Sequence, residues 1–348
     1  MMRSVWRSLV DGPKETSEMT ETSDVTDTKS GAAARELSSA FVAHDPQMVE
    51  IVALLQRLAN APTNVLLSGE SGTGKDLAAS ALHYWGKRAA EPMVKVDLPT
   101  IPAELMESEL FGYEKGAFTG AQGTKPGKLE LAGEGTIFLD QIGEPVPALQ
   151  AKLLRVVEDK TYERVGGTRT LTVQARMVAS STGNLMEEVE RKSFRRDLFH
   201  RLSVFWIQLP PLRERPDDIV PLAQHFIQRE GERLGGNFPE EFADSVLEAF
   251  RNYVWPGNVR ELKGAVERAG LVAQGSRIER DNLPDSILDS PSVTFRLGSK
   301  DRPTLADVEK NYIERTLRYV GGNQTRAAKI LGISRKALWE KRKRYGMD

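Results

Sequence analysis

Gly69-Glu70-Ser71-Gly72-Thr73-Gly74-Lys75-Asp76 follows the apolar run Asn64-Val65-Leu66-Leu67-Ser68 and precedes the helix-prone stretch Leu77-Ala78-Ala79-Ser80-Ala81-Leu82. Strand, glycine-rich turn and helix, in that order, form the setting in which a chain cradles phosphate. Glycines let successive backbone N–H groups turn onto phosphate oxygens with no Cβ in the way, and the positive end of the following helix adds its field. The spacing G-x-x-x-x-G-K sets Lys75 on the outer phosphates of a nucleotide. One position departs from the usual pattern: Asp76 stands where most such loops place a Ser or Thr hydroxyl on magnesium. A carboxylate there can hold the ion directly or through water.

With 348 residues, 40% of them hydrophobic, the chain has room for two or three domains with packed cores. Its 48 basic and 49 acidic residues nearly cancel, so affinity for nucleic acid has to come from local asymmetry. Cysteine is absent, which excludes disulfides and thiolate metal sites and suits a reducing cytoplasm, the expected location. Four His argue against a His-rich metal centre. No apolar run approaches the roughly 18 residues of a membrane span, and the apolar part of 1–10 is too short for a signal peptide, so no membrane association is expected.

Residues 11–35 are rich in Thr, Ser, Asp and Glu, and 1–35 is expected to be a disordered tail with no room for a sensory domain. Met48, Ile51, Val52, Leu54, Leu55 and Leu58 mark one amphipathic helix. Strands are expected at 64–68, 93–97, 135–140, 175–181 and 204–209, alternating with helices. That pattern argues for an α/β subdomain over 36–210, a mostly parallel sheet with helices on both faces. From Pro210 the pattern reads as helical only, at about 216–234, 239–251 and 258–273, a helical lid over 211–284. A Pro-, Ser- and Gly-containing stretch, 285–303, reads as a linker, and 304–348 as a separate domain of short helices.

Gly135-Thr136-Ile137-Phe138-Leu139-Asp140 is an apolar strand ending in a carboxylate, the arrangement that holds magnesium in nucleotide hydrolases. Glu109-Leu110-Phe111-Gly112-Tyr113-Glu114-Lys115-Gly116-Ala117-Phe118-Thr119-Gly120-Ala121 contains glycines around a central Phe-Thr, a poor core but a plausible contact surface. With these stretches, and with Tyr162-Glu163-Arg164-Val165-Gly166-Gly167, Leu209-Pro210-Pro211-Leu212-Arg213-Glu214-Arg215 and Trp255-Pro256-Gly257-Asn258-Val259-Arg260-Glu261-Leu262, the chain resembles the AAA+ activators of sigma-54 RNA polymerase over nearly its whole length. The resemblance implies an ATPase with Mg2+ that assembles into a ring, expected to be a hexamer. Gly116, Ala117, Phe118, Thr119, Gly120 and Ala121 match the loop that touches the sigma factor. Arg195 and Arg201 match the arginines that reach the ATP of a neighbouring subunit, and Arg260 matches the lid arginine that senses the outer phosphate, with Trp255 to Asn258 as stop and cap of its helix. The family also carries a carboxylate where Asp76 stands.

Three positions depart from the family. Gln141 follows Asp140 where the family has the Glu that polarises the attacking water, and an amide cannot accept a proton as a carboxylate does. Asp97 stands where the family has the Asn that holds that Glu. Two readings stay open: Asp97 and Gln141 keep a carboxylate–amide pair, with Asp97 as acceptor, or hydrolysis is impaired. Ser181-Thr182 replace the family's Thr-Asn sensor pair.

Residues 304–348 carry eleven Lys and Arg against five Asp and Glu, a local balance of +6. Asn323, Thr325 and an Ala pair precede Gly332-Ile333-Ser334, and Arg335-Lys336-Ala337-Leu338-Trp339 follows. The glycine allows the tight turn and Ser334 can cap the second helix. This resembles the family's Fis-type helix-turn-helix. Its second helix would enter the major groove, with Arg335 and Lys336 near base edges or phosphates, Trp339 on the same helix, and the Lys341 to Arg344 cluster, including Arg342, on the backbone. The expected function is an ATP-driven activator that binds DNA upstream of a promoter and remodels the sigma-54 polymerase, under the control of a separate regulatory protein, expression level or the N-terminal tail. The alternative is a DNA-binding regulator that binds ATP without cleaving it, or a subunit active only beside a hydrolysing partner.

Overall fold

A computed structural model describes residues 37, 39–235, 238–288 and 304–347. The tail expected at 1–35 lies outside these residues, as does the linker beyond 288. They form two compact units, one from 48–70, 74–209 and the residues up to 43, the other from 44–47, 71–73 and 210 onward.

The first unit is built on five parallel strands: β1 Val65–Ser68, β2 Met93–Asp97, β5 Thr136–Asp140, β8 Arg176–Ser181 and β9 Phe205–Gln208, in the order β2-β5-β8-β1-β9. Register places Asp97 beside Asp140 and Ser68 between Ser181 and Gln208, so the chemistry-bearing strand ends share one carboxyl edge. Strand order reverses at β1, the place where open parallel sheets bind ligands. Helices α1 Pro46–Ala59 and α2 Lys75–Tyr84 cover one face through Leu55, Leu58, Ala79 and Leu82, packed on Val65, Leu67, Phe138 and Val178. The other face carries α3 Ala103–Phe111, α5 Pro147–Asp159, α6 Leu185–Glu190 and α7 Arg196–Leu202, packed on Leu66, Val96, Ile137, Leu139 and Ala179. All five strand positions agree with the sequence within a residue. The two-residue ladder of β3 Gly112–Tyr113 with β4 Lys125–Pro126, the short helix α4 Lys128–Leu131, and the ladder of β6 Thr161–Glu163 with β7 Thr170–Thr172 were not expected.

Two buried basic side chains knit this unit. Arg176, 3% exposed, donates to the carbonyls of Leu58, Ala59, Thr63 and Leu82 at 2.9–3.2 Å, three of them in the last turns of α1 and α2, where helical carbonyls have no intrahelical partner. Burial first, then Arg88, lowers its pKa to about 10, which leaves it charged at neutral pH. His83 Nδ1 lies 2.9 Å from the Thr136 hydroxyl, and burial pulls its pKa down to about 4.

In the second unit, α8 Ile219–Leu234, α9 Asp244–Asn252 and α10 Asn258–Val272 pack through Leu222, Ile227, Phe250, Leu262 and Val266. The expectation of helix alone is corrected: β10 Glu241–Phe242 pairs in parallel with β11 Arg277–Ile278, burying Phe242 and Ile278. A further short helix, α11 Asp285–Leu288, buries Ile287. Trp255 is fully buried against Phe250 and Tyr253 and donates Nε1 to the Phe250 carbonyl at 2.8 Å. The expected cap of α10 also needs correction. Gly257 holds the N-cap place with no side-chain bond; instead Glu261 Oε2 accepts from its N–H at 2.7 Å. Asn258 is committed elsewhere, as described below.

Residues 304–347 hold α12 Leu305–Tyr319, α13 Gln324–Ile330 and α14 Arg335–Tyr345. Their core is Ile313, Ala327, Ala328 and Leu338, the Ala pair giving α13 its close approach. Asn323 caps α13 by accepting from Arg326 N–H, and Ser334 caps α14 by accepting from Ala337 N–H, both at 3.1 Å.

Candidate functional site

The loop at 69–76 leaves the carboxyl end of β1 and enters α2 through Gly74, whose φ of 108° suits a residue without a Cβ. Gly72 is fixed twice over: its φ is 79°, and a Cβ there would lie 2.4 Å from the Gly257 carbonyl oxygen. Lys75, buried, donates to the carbonyls of Gly69 and Glu70 at 2.8 and 2.9 Å. Ser71 to Thr73 belong to the second unit and are held by it. Asn258 donates Nδ2 to the Ser71 carbonyl at 3.0 Å and accepts from Leu212 N–H at 2.8 Å, while Val259 N–H donates to the Gly72 carbonyl. Arg260 reaches the Ser71 hydroxyl at 2.9 Å. Buried Arg215 donates to the Thr73 carbonyl at 2.7 Å and faces Asp218, which accepts from the N–H groups of His44 and Asp45. Burial lowers the Arg215 pKa and raises that of Asp218. Neither Arg215 nor Asn258 was expected to hold the loop.

Asp140 ends β5 and accepts a hydrogen bond from the Ser180 hydroxyl, which in turn accepts from Gln141 N–H at 3.1 Å. Ser180, one residue before the expected sensor pair, is the hydroxyl that meets Asp140. Ser181 donates to the Gly183 carbonyl at 3.1 Å and Thr182 is exposed. Gln141, at φ 61°, lines a polar cavity of about 220 Å³ together with Gly143, Glu144, Ser181, Thr182, Gly183 and Glu188. Burial, then the charge of Glu144, raises the Glu188 pKa. Asp97 is not in that cavity: it neighbours Asp140 in register, and no hydrogen bond joins it to Gln141. Lys95, two residues before Asp97, bridges Asp76 Oδ1 at 2.5 Å and Asp140 Oδ2 at 3.5 Å. Burial would lower its pKa, but the two carboxylates raise it on balance, Asp76 foremost. A charged residue inside a strand was the signal that could have marked it.

Arg195 stands at the N-cap of α7 and Arg201 in its last turn, both exposed, and neither bonds to the loop at 69–76. Arg195 pairs with Asp197 at 2.7 Å and Arg201 with Glu158 at 2.7 Å. Fully buried Gln150 on α5 fixes this corner by accepting from Arg195 N–H at 2.8 Å while donating to the Pro145 and Ser193 carbonyls. A Gln inside an apolar helical stripe was its sequence signal.

Residues 116–121 close on themselves: Gly116 N–H donates to the Ala121 carbonyl at 2.9 Å and Ala121 N–H to the Phe118 carbonyl at 3.0 Å. Gly116 and Gly120 have φ of 86° and 106°. Ala121 is buried, whereas Thr119 and Phe118 are exposed, the Phe118 ring edge-on to Tyr113 with centroids 4.9 Å apart. Arg164 braces the base, bonding Glu130 and, at 2.8 Å, Glu114; Gly166 packs on Ala117. Those bonds, Glu130 first, raise the Arg164 pKa.

On α14, Arg335, Lys336 and Trp339 are exposed, as are Thr325 and Asn323 on the preceding helix and its cap. Lys343 Nζ lies 5.4 Å from the Trp339 ring centroid. Lys341 and Arg342 are partly turned inward: Lys341 pairs with Glu309 at 2.5 Å, beside the Tyr345 hydroxyl, and Arg342 donates to the Met347 carbonyl.

Among the described residues no group of three or more His, Cys, Asp or Glu could by itself hold a metal ion. The hard oxygens of Asp76 and Asp140 suit Mg2+, which takes one or two carboxylates and completes its shell with phosphate oxygens and water. No helix among the described residues is long and apolar enough to cross a membrane.

The sigma-54 interaction domain family matches residues 41–208, an AAA+ ATPase lid domain 213–299, and the Fis family of bacterial regulatory proteins 304–345. Over 316 residues the chain is 42% identical to the regulatory protein AtoC of Escherichia coli strain K12, covering 88% of this chain and 68% of that protein. It is 42% identical over 301 residues to the transcriptional regulatory protein ZraR of Klebsiella oxytoca, covering 86% and 68%. The crystal structure of NtrX from Brucella abortus in complex with ADP superposes with a TM-score of 0.68 at 31% identity, covering 99% of this chain and 80% of that one.

Proposed function

Because the chain belongs to the sigma-54-dependent transcriptional activators, with an AAA+ domain and a Fis-type DNA-binding domain, we propose that it hydrolyses ATP in a ring of its own copies and uses the turnover to remodel the sigma-54 polymerase from DNA upstream of a promoter. Lys75 and the N–H groups of the loop bind the phosphates, and Arg260 contacts the outermost one. Asp140, with Asp76 nearby, would hold Mg2+, whose charge would screen the transferring phosphoryl group. Arg195 and Arg201 act on the nucleotide of the adjacent copy, which agrees with their exposure and their distance from the chain's own loop by hydrogen bonding. Such a donated arginine is worth roughly 10³–10⁵ in rate. Arg335, Lys336 and Trp339 meet the major groove, with Lys341 and Arg342 nearer the backbone.

The observation that supports this most is the self-closed turn at 116–121, which presents Phe118 and Thr119 to solvent instead of to the core. The test is ATP-dependent open-complex formation on a sigma-54 promoter. The native protein is expected to support it, and a Thr119→Ala variant to lose it while still binding ATP. Loss of ATP binding together with opening would assign the loop a merely structural part.

Gln141 favours a second reading, a regulator that binds ATP and cleaves it poorly. The absence of a hydrogen bond between Asp97 and Gln141 lends that reading weight. The pair is expected to meet only when nucleotide and water complete the site.

A further inference from the structure

Asp76 puts a second carboxylate at a place where most phosphate-binding loops have a neutral hydroxyl, and the cation that compensates it comes from the neighbouring strand. Lys95 and Asp97 share one face of β2, and Lys95 lies beside Phe138 in register. Its side chain passes over the Phe138 ring, with Nζ 5.7 Å from the centroid, and ends between Asp76 and Asp140. The contact with Asp76, at 2.5 Å, is the closer; that with Asp140, at 3.5 Å, leaves Asp140 the looser partner. Asp140 has the Ser180 hydroxyl as a second partner, so it keeps its orientation without the lysine. Two carboxylates and one ammonium carry a net charge of −1, the charge that a hydroxyl and Asp140 would carry together. A nucleotide brings several more negative charges to the same few ångströms, so an uncompensated Asp76 would repel it.

We propose that Lys95 is a positioning residue that neutralises Asp76 and ties it back, so that nucleotide phosphates can enter before the metal and Mg2+ is then received by Asp140. The proposal rests on the reading of 69–76 as a nucleotide site. Asp76 and Lys95 act as one unit: alone, either charge is a liability, and together they restore the electrostatics of the hydroxyl they replace. It follows that removing Lys95 harms nucleotide binding mainly when no metal is present, and that it turns Asp76 and Asp140 into a stronger cation trap.

The test uses the full chain, a fluorescent ATP analogue titrated in EDTA and in excess Mg2+, and Mn2+ titrated alone by electron paramagnetic resonance. Lys95→Met is expected to weaken metal-free binding of the analogue roughly tenfold, with a much smaller loss in Mg2+, and to bind Mn2+ more tightly than the native chain. Asp76→Ser added to Lys95→Met is expected to recover metal-free binding and remove the extra Mn2+ affinity. Equal losses with and without Mg2+, no change in either, or failure of Asp76→Ser to restore binding would overturn the proposal. A native chain that binds the analogue in neither condition would instead overturn the nucleotide reading beneath it.

Discussion

The five-stranded sheet and the hairpin that carries 116–121 are held by opposite means. At the amino ends of the strands Arg176 satisfies four carbonyls and His83 meets Thr136, and at the carboxyl ends Gln150 pins Arg195 and Ser180 fixes Asp140, with Arg176, His83, Gln150 and Ser180 all buried. The hairpin has two ladder residues on each side, one arginine between two carboxylates, and an aromatic pair with one ring exposed. Buried networks of the first kind are costly to break and keep one geometry. Partly buried ion pairs open to solvent on one side and short ladders of the second kind are worth less each and can exchange partners. On the proposed function, the difference suits the sheet to a fixed nucleotide site and the hairpin to movement. Substitutions in the sheet's network should therefore cost stability, and those in the hairpin should cost coupling.

The largest effect is expected at Arg176. Arg176→Met removes the guanidinium from the carbonyls of Ala59, Thr63 and Leu82, leaves Leu58 only the Ala61 N–H, and is expected to cost about 3–5 kcal/mol in urea unfolding of the full chain. A loss below about 1 kcal/mol would show that the sheet is not held by this network.

Next comes His83. Its pKa is about 4 in the fold against an ordinary 6.5, so the unfolded chain takes up the proton first as pH falls. Its contribution to stability is present above pH 6.5 and is lost as pH falls from there through 4, amounting to about 3 kcal/mol in full. Comparing unfolding midpoints of the native chain and His83→Gln across that range should give a flatter profile for the variant. Parallel profiles would remove His83 from the account.

Arg164→Gln should cost only about 1 kcal/mol, yet it leaves Glu114 at the base of the hairpin with only the Thr124 hydroxyl at 2.7 Å. Faster amide exchange confined to 112–126 is the expected signature, and unchanged exchange would mean that the ladder suffices without the ion pairs. Smallest in stability is Phe118→Ala, at less than about 1 kcal/mol, because only one aromatic contact is lost. Its effect on sigma-54-dependent transcription should nevertheless be on the order of thirtyfold or more, the size of an anchor residue worth about 2 kcal/mol. A variant that kept transcription would break the division between the two regions.

The central strands β1, β5 and β8 could be read because each is a largely apolar run buried on both faces and ending in a residue with chemistry to do, whereas the edge strands β2 and β9 are more exposed and were marked by their place in the alternation with helices. The paired strands at 112–113 with 125–126, 161–163 with 170–172, and 241–242 with 277–278 escaped because two or three residues show no period. In the lid this hid a sheet inside what looked purely helical. Loop glycines, Lys75 and Asp140 announced themselves through spacing. The groups that position them did not: Lys95, Gln150, Arg176, Ser180 and Arg215 are polar residues whose partners lie far away in the chain. A sequence shows a charge but not what faces it. Asn258 illustrates the same limit, being legible as a helix start but spent on the Ser71 carbonyl and Leu212 N–H instead of on a cap. Gln141 and Asp97 were legible as departures, whereas their separation, one in the polar cavity and the other beside Asp140, required the fold.

Steady-state ATP hydrolysis by the purified chain over a range of protein concentrations, beside a Gln141→Glu variant, tests the central claim most directly. Turnover per subunit that rises with concentration in the native chain is the predicted result, since Arg195 and Arg201 would then act across a ring interface. No turnover at any concentration in the native chain, with activity appearing in Gln141→Glu, would contradict it and leave a nucleotide-binding regulator in place of a motor.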